Sequence, residues 1–241
     1  MTSPHIDFSE QPDPTIPNEI RPPEFRDATR VQQSFLASIE KRALLGMANR
    51  TPPWIHSDHL TVLGFVAQVL AGAGYALARL DRYWLLAVIG FLALNWLGDS
   101  LDGTLARVRK RQRPRYGFYV DHMADSIGSL ALMGGLALSG YMHPYLAFAL
   151  LVAFLLLSIQ CYLATHALQE FQLAFWNFGP TELRILLAIG NLALLLWPTV
   201  LRGHYRLFDI GGSVGMIGMS LMLIYSTGRN TCRLYTQERL S

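Results

Sequence analysis

Asp99 and Asp102 stand three residues apart and Asp121 and Asp125 four apart, in a stretch that reads GDSLDGTLARVRKRQRPRYGFYVDHMADS from Gly98 to Ser126. On a helix, either spacing puts both carboxylates of a pair on one face. A hairpin of two such helices brings the pairs together. Four carboxylates held close at membrane depth repel and favour protonation, and a charge buried in a bilayer costs a few kcal/mol or more. Binding cations relieves both. An all-carboxylate donor set favours hard ions, Mg²⁺ or Mn²⁺, and two ions about 3.5–4 Å apart clamp a phosphoryl transfer. Gly103 and Ala106 remove bulk where a ligand could approach the backbone, Gly117 does the same on the second helix, and Arg107 supplies a planar fork for phosphate oxygens.

Apolar segments long enough to cross a bilayer flank this stretch, near 58–78, 83–99, 118–139, 144–166, 182–201 and 211–227, about 20 residues being needed. The charged fraction is only 15%, against about a quarter in soluble domains, and the mean hydropathy is +0.27. The expected fold class is therefore an all-α integral membrane protein with six transmembrane helices in one domain, 51–230. Residues 1–23, rich in proline and acids, read as a disordered tail. Residues 24–50 read as an amphipathic helix lying in the interface, with Phe25, Ala28, Phe35, Leu36, Ile39, Ala43 and Gly46 on the apolar side and Glu40 and Lys41 opposite. Packing of that helix on its own domain is the alternative. Residues 231–241 are expected to form a cytoplasmic tail.

The net charge is +3, but the basic residues gather at the ends of apolar segments. That distribution points to membrane lipids rather than nucleic acid. The run Arg107, Arg109, Lys110, Arg111, Arg113 and Arg115, with Lys41, Arg42 and Arg50 before it and Arg229, Arg233 and Arg239 after, outweighs Arg79, Arg82, Arg202 and Arg206. Both termini and the aspartates are expected on the cytoplasmic side. Cys161 and Cys232 imply no disulfide framework. Gly64 with Gly72, and Gly211 with Gly215, offer small faces for helix packing.

The aspartate stretch resembles the signature of the CDP-alcohol phosphotransferase family: Asp99, Asp102-Gly103, Ala106-Arg107, nine residues, then Gly117, Asp121 and Asp125. The resemblance implies an enzyme of phospholipid biosynthesis (EC 2.7.8 type) that moves a substituted phosphate from a CDP-linked donor to an alcohol, with CMP leaving. It implies two Mg²⁺ or Mn²⁺ ions held by Asp99, Asp102, Asp121 and Asp125, with Asp125 the candidate base. It implies CDP contacts from Gly103, Ala106, Arg107 and Gly117, and a homodimer. Thr61 is a further candidate for CDP, although Ser57-Asp58 stand where many members have Pro-Asn.

Two kinds of donor remain open. CDP-diacylglycerol would pass a phosphatidyl group to a small alcohol, and six helices suit that branch. CDP-choline or CDP-ethanolamine would serve a diacylglycerol acceptor, and Asp121-His122 with the segment around Thr181-Glu182 is similar to that branch. His122 is either a structural histidine or an acceptor-side group. His166 and Glu182 could form an acceptor-activating dyad or an interfacial ion pair, and Arg184 could bind an acceptor phosphate or pair with Glu182. A divalent-cation transporter using the same carboxylates is the more distant alternative, though the fifth and sixth segments offer only Asn191, Ser213 and Ser220 to line a path.

Overall fold

The computed structural model describes residues 37–168, 180–197 and 205–238, together with short backbone segments at 29–30, 170–171 and 199–200. The expected tail 1–23, most of 24–36, and 239–241 lie outside the described residues. Among the described residues seven helices follow in order: α1 (Ala37–Arg50), α2 (Ser57–Leu77), α3 (Trp84–Val108), α4 (Pro114–Ser139), α5 (Pro144–Leu168), α6 (Pro180–Leu196) and α7 (Leu207–Gln237). Two short backbone ladders accompany them. Thr29–Arg30 pairs in parallel with Glu170–Phe171, and Thr199–Val200 pairs antiparallel with Tyr205–Arg206.

Local chemistry sets the helix ends. Pro114 opens α4 at its first position, where a missing N–H costs nothing. Gly140 closes it in the left-handed conformation, φ 80°, which residues with a Cβ resist. Ser139 Oγ accepts the Tyr141 N–H at 3.1 Å, and Pro144 then starts α5. Asp209 in the first turn of α7 accepts the His143 N–H at 2.6 Å. The α4–α5 turn and the start of α7 are thus tied together at the end of the bundle away from the aspartates.

Two differences from the expected spans bear on the site. The second segment does not stop at residue 99: α3 continues helically to Val108, so Asp99, Asp102 and Arg107 share one rigid element. α7 runs to Gln237 rather than giving way to a tail near 231. By length and composition, α2, α3, α5 and α7 can each cross a membrane. α4 carries Arg115, Asp121 and Asp125 along its first half, and α6 has only 17 residues. Their polarity and length hold them below that standard.

α2 is the hub. It packs along α3 on one side and α4 on the other, whereas α3 and α4 make little direct contact. The expected hairpin of acid-bearing helices is therefore two helices spaced by a third. Glycines make this possible. A Cβ on Gly98 would collide with the backbone of Gly64 and Leu60, and a Cβ on either Gly72 or Gly135 would land on the other's helix backbone. Gly64 and Gly72 are the small faces read from the sequence, and Gly98 and Gly135 are their partners. Of the expected Gly211 and Gly215 face, Gly215 meets Leu150 in ordinary contact and Gly211 meets nothing among the described residues, while Gly212 packs tightly against Met142, Leu146 and Leu150.

The main core joins Tyr75, Leu85, Val88, Leu92, Leu132, Leu136, Leu194 and Phe208. Within it Tyr75 Oη donates to Asn191 Oδ1 at 3.0 Å, linking α2 to α6. A second cluster sets α1 on the domain, with Leu44 and Ala48 packed against Leu60, Leu101 and Leu105. Ala43 and Gly46, from the side expected to meet the interface, are exposed, while Glu40 on the opposite side turns inward against α3. The Leu44, Met47 and Ala48 stripe, anchored on α3, decides the orientation.

Candidate active site

Position 99 lies one turn before position 102 on α3, and position 121 one turn before 125 on α4. The four aspartates line one narrow cleft beside α2, joined there by Thr61, Gln68 and Asn95. Asn95 sits deep in the seam because its Nδ2 donates to the Gly64 carbonyl at 3.0 Å. That bond satisfies a backbone group at the point of closest approach of α2 and α3.

The α3 side of the cleft is tightly bonded. Thr61 Oγ1 donates to Asp102 Oδ2 at 2.6 Å, Ser57 Oγ donates to the Asp102 carbonyl at 3.0 Å, and the Gly103 N–H donates to Asp102 Oδ1. Arg184, reaching from α6, donates through Nη2 to Asp99 Oδ2 at 2.6 Å with both side chains largely buried. This is a charge-assisted bond across helices. Of the two alternatives weighed for Arg184, pairing with Glu182 gives way to this bond with a carboxylate of the signature.

The α4 side is looser. Asp125 faces Asp99, Asp102 and Arg184 electrostatically and has no hydrogen-bond partner among the described residues. Asp121 is more exposed, at 39%, and lies 3.7 Å from His122 Nδ1. His122 itself is wedged between aromatic rings, 4.1 Å from the Phe118 centroid and 4.6 Å from that of Tyr162. Although the carboxylates share a cleft, no three acid, histidine or cysteine side chains among the described residues converge at metal-binding spacing.

The other expected residues fall into two sets. Gly103, Ala106 and Arg107 lie on α3 just beyond the aspartates, and Arg107 Nη2 donates to Thr104 Oγ1 at 3.0 Å. Gly117 lies in the first turn of α4, where a Cβ would meet nothing within 4 Å among the described residues. His166 is exposed in the last turn of α5, and no ion pair joins it to Glu182 among the described residues. The expected dyad is not formed, because Glu182 starts α6 beside the cleft while His166 turns outward.

Sequence reasoning missed two groups. Arg109 donates to the backbone carbonyls of Thr51, Pro52 and Ile55, clamping the α1–α2 connection. Arg113 pairs with Asp58 at the start of α2. Both were read only as loop charge, and nothing local in the sequence names their partners.

These features define a membrane-embedded helical protein with an acidic cleft built on three helices. The model of the CDP-alcohol phosphatidyltransferase family matches residues 54–224. The chain belongs to that family, whose members transfer phosphate from a CDP-alcohol in phospholipid synthesis. A search of curated proteins finds no match.

Proposed function

We propose that this chain moves a substituted phosphate from a CDP-linked donor to an alcohol hydroxyl and releases CMP, using two Mg²⁺ or Mn²⁺ ions at Asp99, Asp102, Asp121 and Asp125. The carrying observation is that all four aspartates of the signature line a single cleft. Their oxygen-only chemistry fits hard divalent ions, and Arg184 against Asp99 shows where positive charge is favoured. Such ions would share or displace the bonds that Thr61 and Arg184 now make. When bound, they supply charge neutralisation for the pyrophosphate and the transition state.

The rest of the chemistry falls to the chain's own side chains. The acceptor oxygen attacks the phosphorus that carries the transferred group, and the bond from that phosphorus to the bridging oxygen breaks, leaving CMP. Asp125, with no competing hydrogen bond, takes the acceptor proton. Gly103, Ala106, Arg107 and Gly117 border the space for the CDP moiety. Thr61 acts through Asp102 by fixing its carboxylate. Arg184 and Glu182 at the start of α6 are the acceptor-side groups, and His122 holds the α4 aspartate in place through its aromatic packing. Positioning and electrostatics supply most of the rate in such transfers.

We further place six crossings, α2 to α7, with the cleft and both termini on the cytoplasmic face, in a homodimer. The basic loop between α3 and α4 supports this sidedness. CDP-diacylglycerol is the leading donor because a plan of six crossings suits the phosphatidyl-transferring branch. Asp121-His122 favours CDP-choline or CDP-ethanolamine as a second reading. The deciding experiment offers purified protein all three donors in parallel, with Mg²⁺ or Mn²⁺, against a panel of small alcohols and diacylglycerol. CMP release from one donor class, abolished by chelation, is expected. No release from any donor sinks the reading.

A further inference from the structure

Glu40 is a carboxylate turned inward from a helix outside the acidic cleft. Its Oε1 accepts three hydrogen bonds from two other helices. Trp96 Nε1 donates at 2.8 Å and Ser100 Oγ at 3.2 Å, both from α3, and Thr181 Oγ1 donates at 3.0 Å from the first turn of α6. Bonds to a charged acceptor are roughly twice as strong as neutral ones. Ser100 is the neighbour of Asp99, and Thr181 lies three residues before Arg184, whose guanidinium holds Asp99. Two links, Glu40–Thr181 and Arg184–Asp99, are polar bridges from the start of α6 to α1 and α3. α1 is itself fixed at both ends of its docked face. Leu44 and Ala48 seat it on α3, and Arg109 holds its connection to α2 by three backbone carbonyls.

We propose that Glu40 is a positioning residue. It ties the start of α6 to α3 and so sets where Arg184 stands relative to Asp99, tuning the acceptor side of the cleft from a helix that contributes nothing to the signature. This rests on the acceptor-side assignment of Arg184 above. Without Glu40, α6 keeps its apolar packing but its first turn loses an anchor. Small misplacements of a binding group cost up to about a hundredfold, and here part of that loss is expected on one substrate only.

The test compares Glu40→Ala, Glu40→Gln, Thr181→Val and the Glu40→Ala/Thr181→Val double variant in the full-length protein. Glu40→Ala is expected to raise the acceptor KM about tenfold while the donor KM stays within about twofold. Glu40→Gln, which keeps an acceptor oxygen, recovers most of that loss. The double variant is no worse than Glu40→Ala alone, since both remove one link. Donor and acceptor KM rising together, or additive losses in the double variant, overturn the proposal. Should Glu40→Ala not fold, Thr181→Val must still show the acceptor-selective rise, in smaller measure, and its absence counts equally against it. Amide hydrogen exchange over residues 180–186 reads the same link without turnover. Faster exchange there in Thr181→Val is expected, and unchanged exchange overturns the link even if the wild-type protein were to release no CMP.

Discussion

The two walls of the acidic cleft are built differently. On α3, Asp102 is held by Thr61, Ser57 and its own neighbour's N–H, and Asp99 by Arg184. On α4, Asp125 has no hydrogen bond among the described residues, and Asp121 stands partly open. One wall is preorganised and the other is left able to respond. The proposed reaction, which binds charge and then takes a proton, draws on both properties. α2 makes the division possible, since it packs against both helices and keeps them from closing on each other.

The sharpest way to break this comparison is to disable the α4 wall. Asp125→Asn keeps size and shape, so CMP release should fall by about a thousandfold, the range for losing a general base, with the melting temperature in detergent close to wild type. Near-normal turnover would mean the looser wall has no chemical role. Disturbing the seam that supports the α3 wall comes next. Gly98→Ala forces a methyl into the Gly64 backbone and should cost about 1–3 kcal/mol by overpacking, read as a lower melting temperature. Gly90→Ala, where nothing lies near, is the control and should melt at or slightly above wild type. A smaller effect on turnover than that of Asp125→Asn is expected at Thr61. Thr61→Val deletes the 2.6 Å bond to Asp102, worth about 1.5–3 kcal/mol for a bond to a charged group, so activity should drop about ten- to a hundredfold and Thr61→Ser should restore it. The smallest belongs to the exposed Arg113–Asp58 pair. Exposed ion pairs contribute about 0–1 kcal/mol, so Arg113→Gln should leave turnover within about twofold. A large loss there would show that the α1–α2 connection belongs to the working site.

The spacing of Asp99, Asp102, Asp121 and Asp125 was legible because helical periodicity is a local property, and so were most helix positions, which follow from apolar runs and from Pro114, Gly140 and Pro144. The third helix lying between the acid-bearing two was not legible. Nothing in the pattern of α3 or α4 says that Gly98 and Gly135 each seek a glycine of α2. Arg184 on Asp99 and Glu40 on Thr181 bridge 85 and 141 residues of sequence, and long-range polar pairs leave no periodic trace. The docking of α1 was not legible for a related reason. Ala43 and Gly46 mark an apolar side by composition, but nothing local says that Leu44 and Ala48 seat the helix on Leu101 and Leu105.

The modest length of α6 reaches beyond the cleft. At 17 residues it is about 26 Å long, short of the roughly 30 Å hydrocarbon slab, whereas α7 with 31 residues overshoots it. In a six-crossing arrangement, thicker bilayers would pull on the short helix and leave the long one free to lean. Acyl-chain length in the surrounding leaflets would then bear on the first turns of α6, where Arg184 stands.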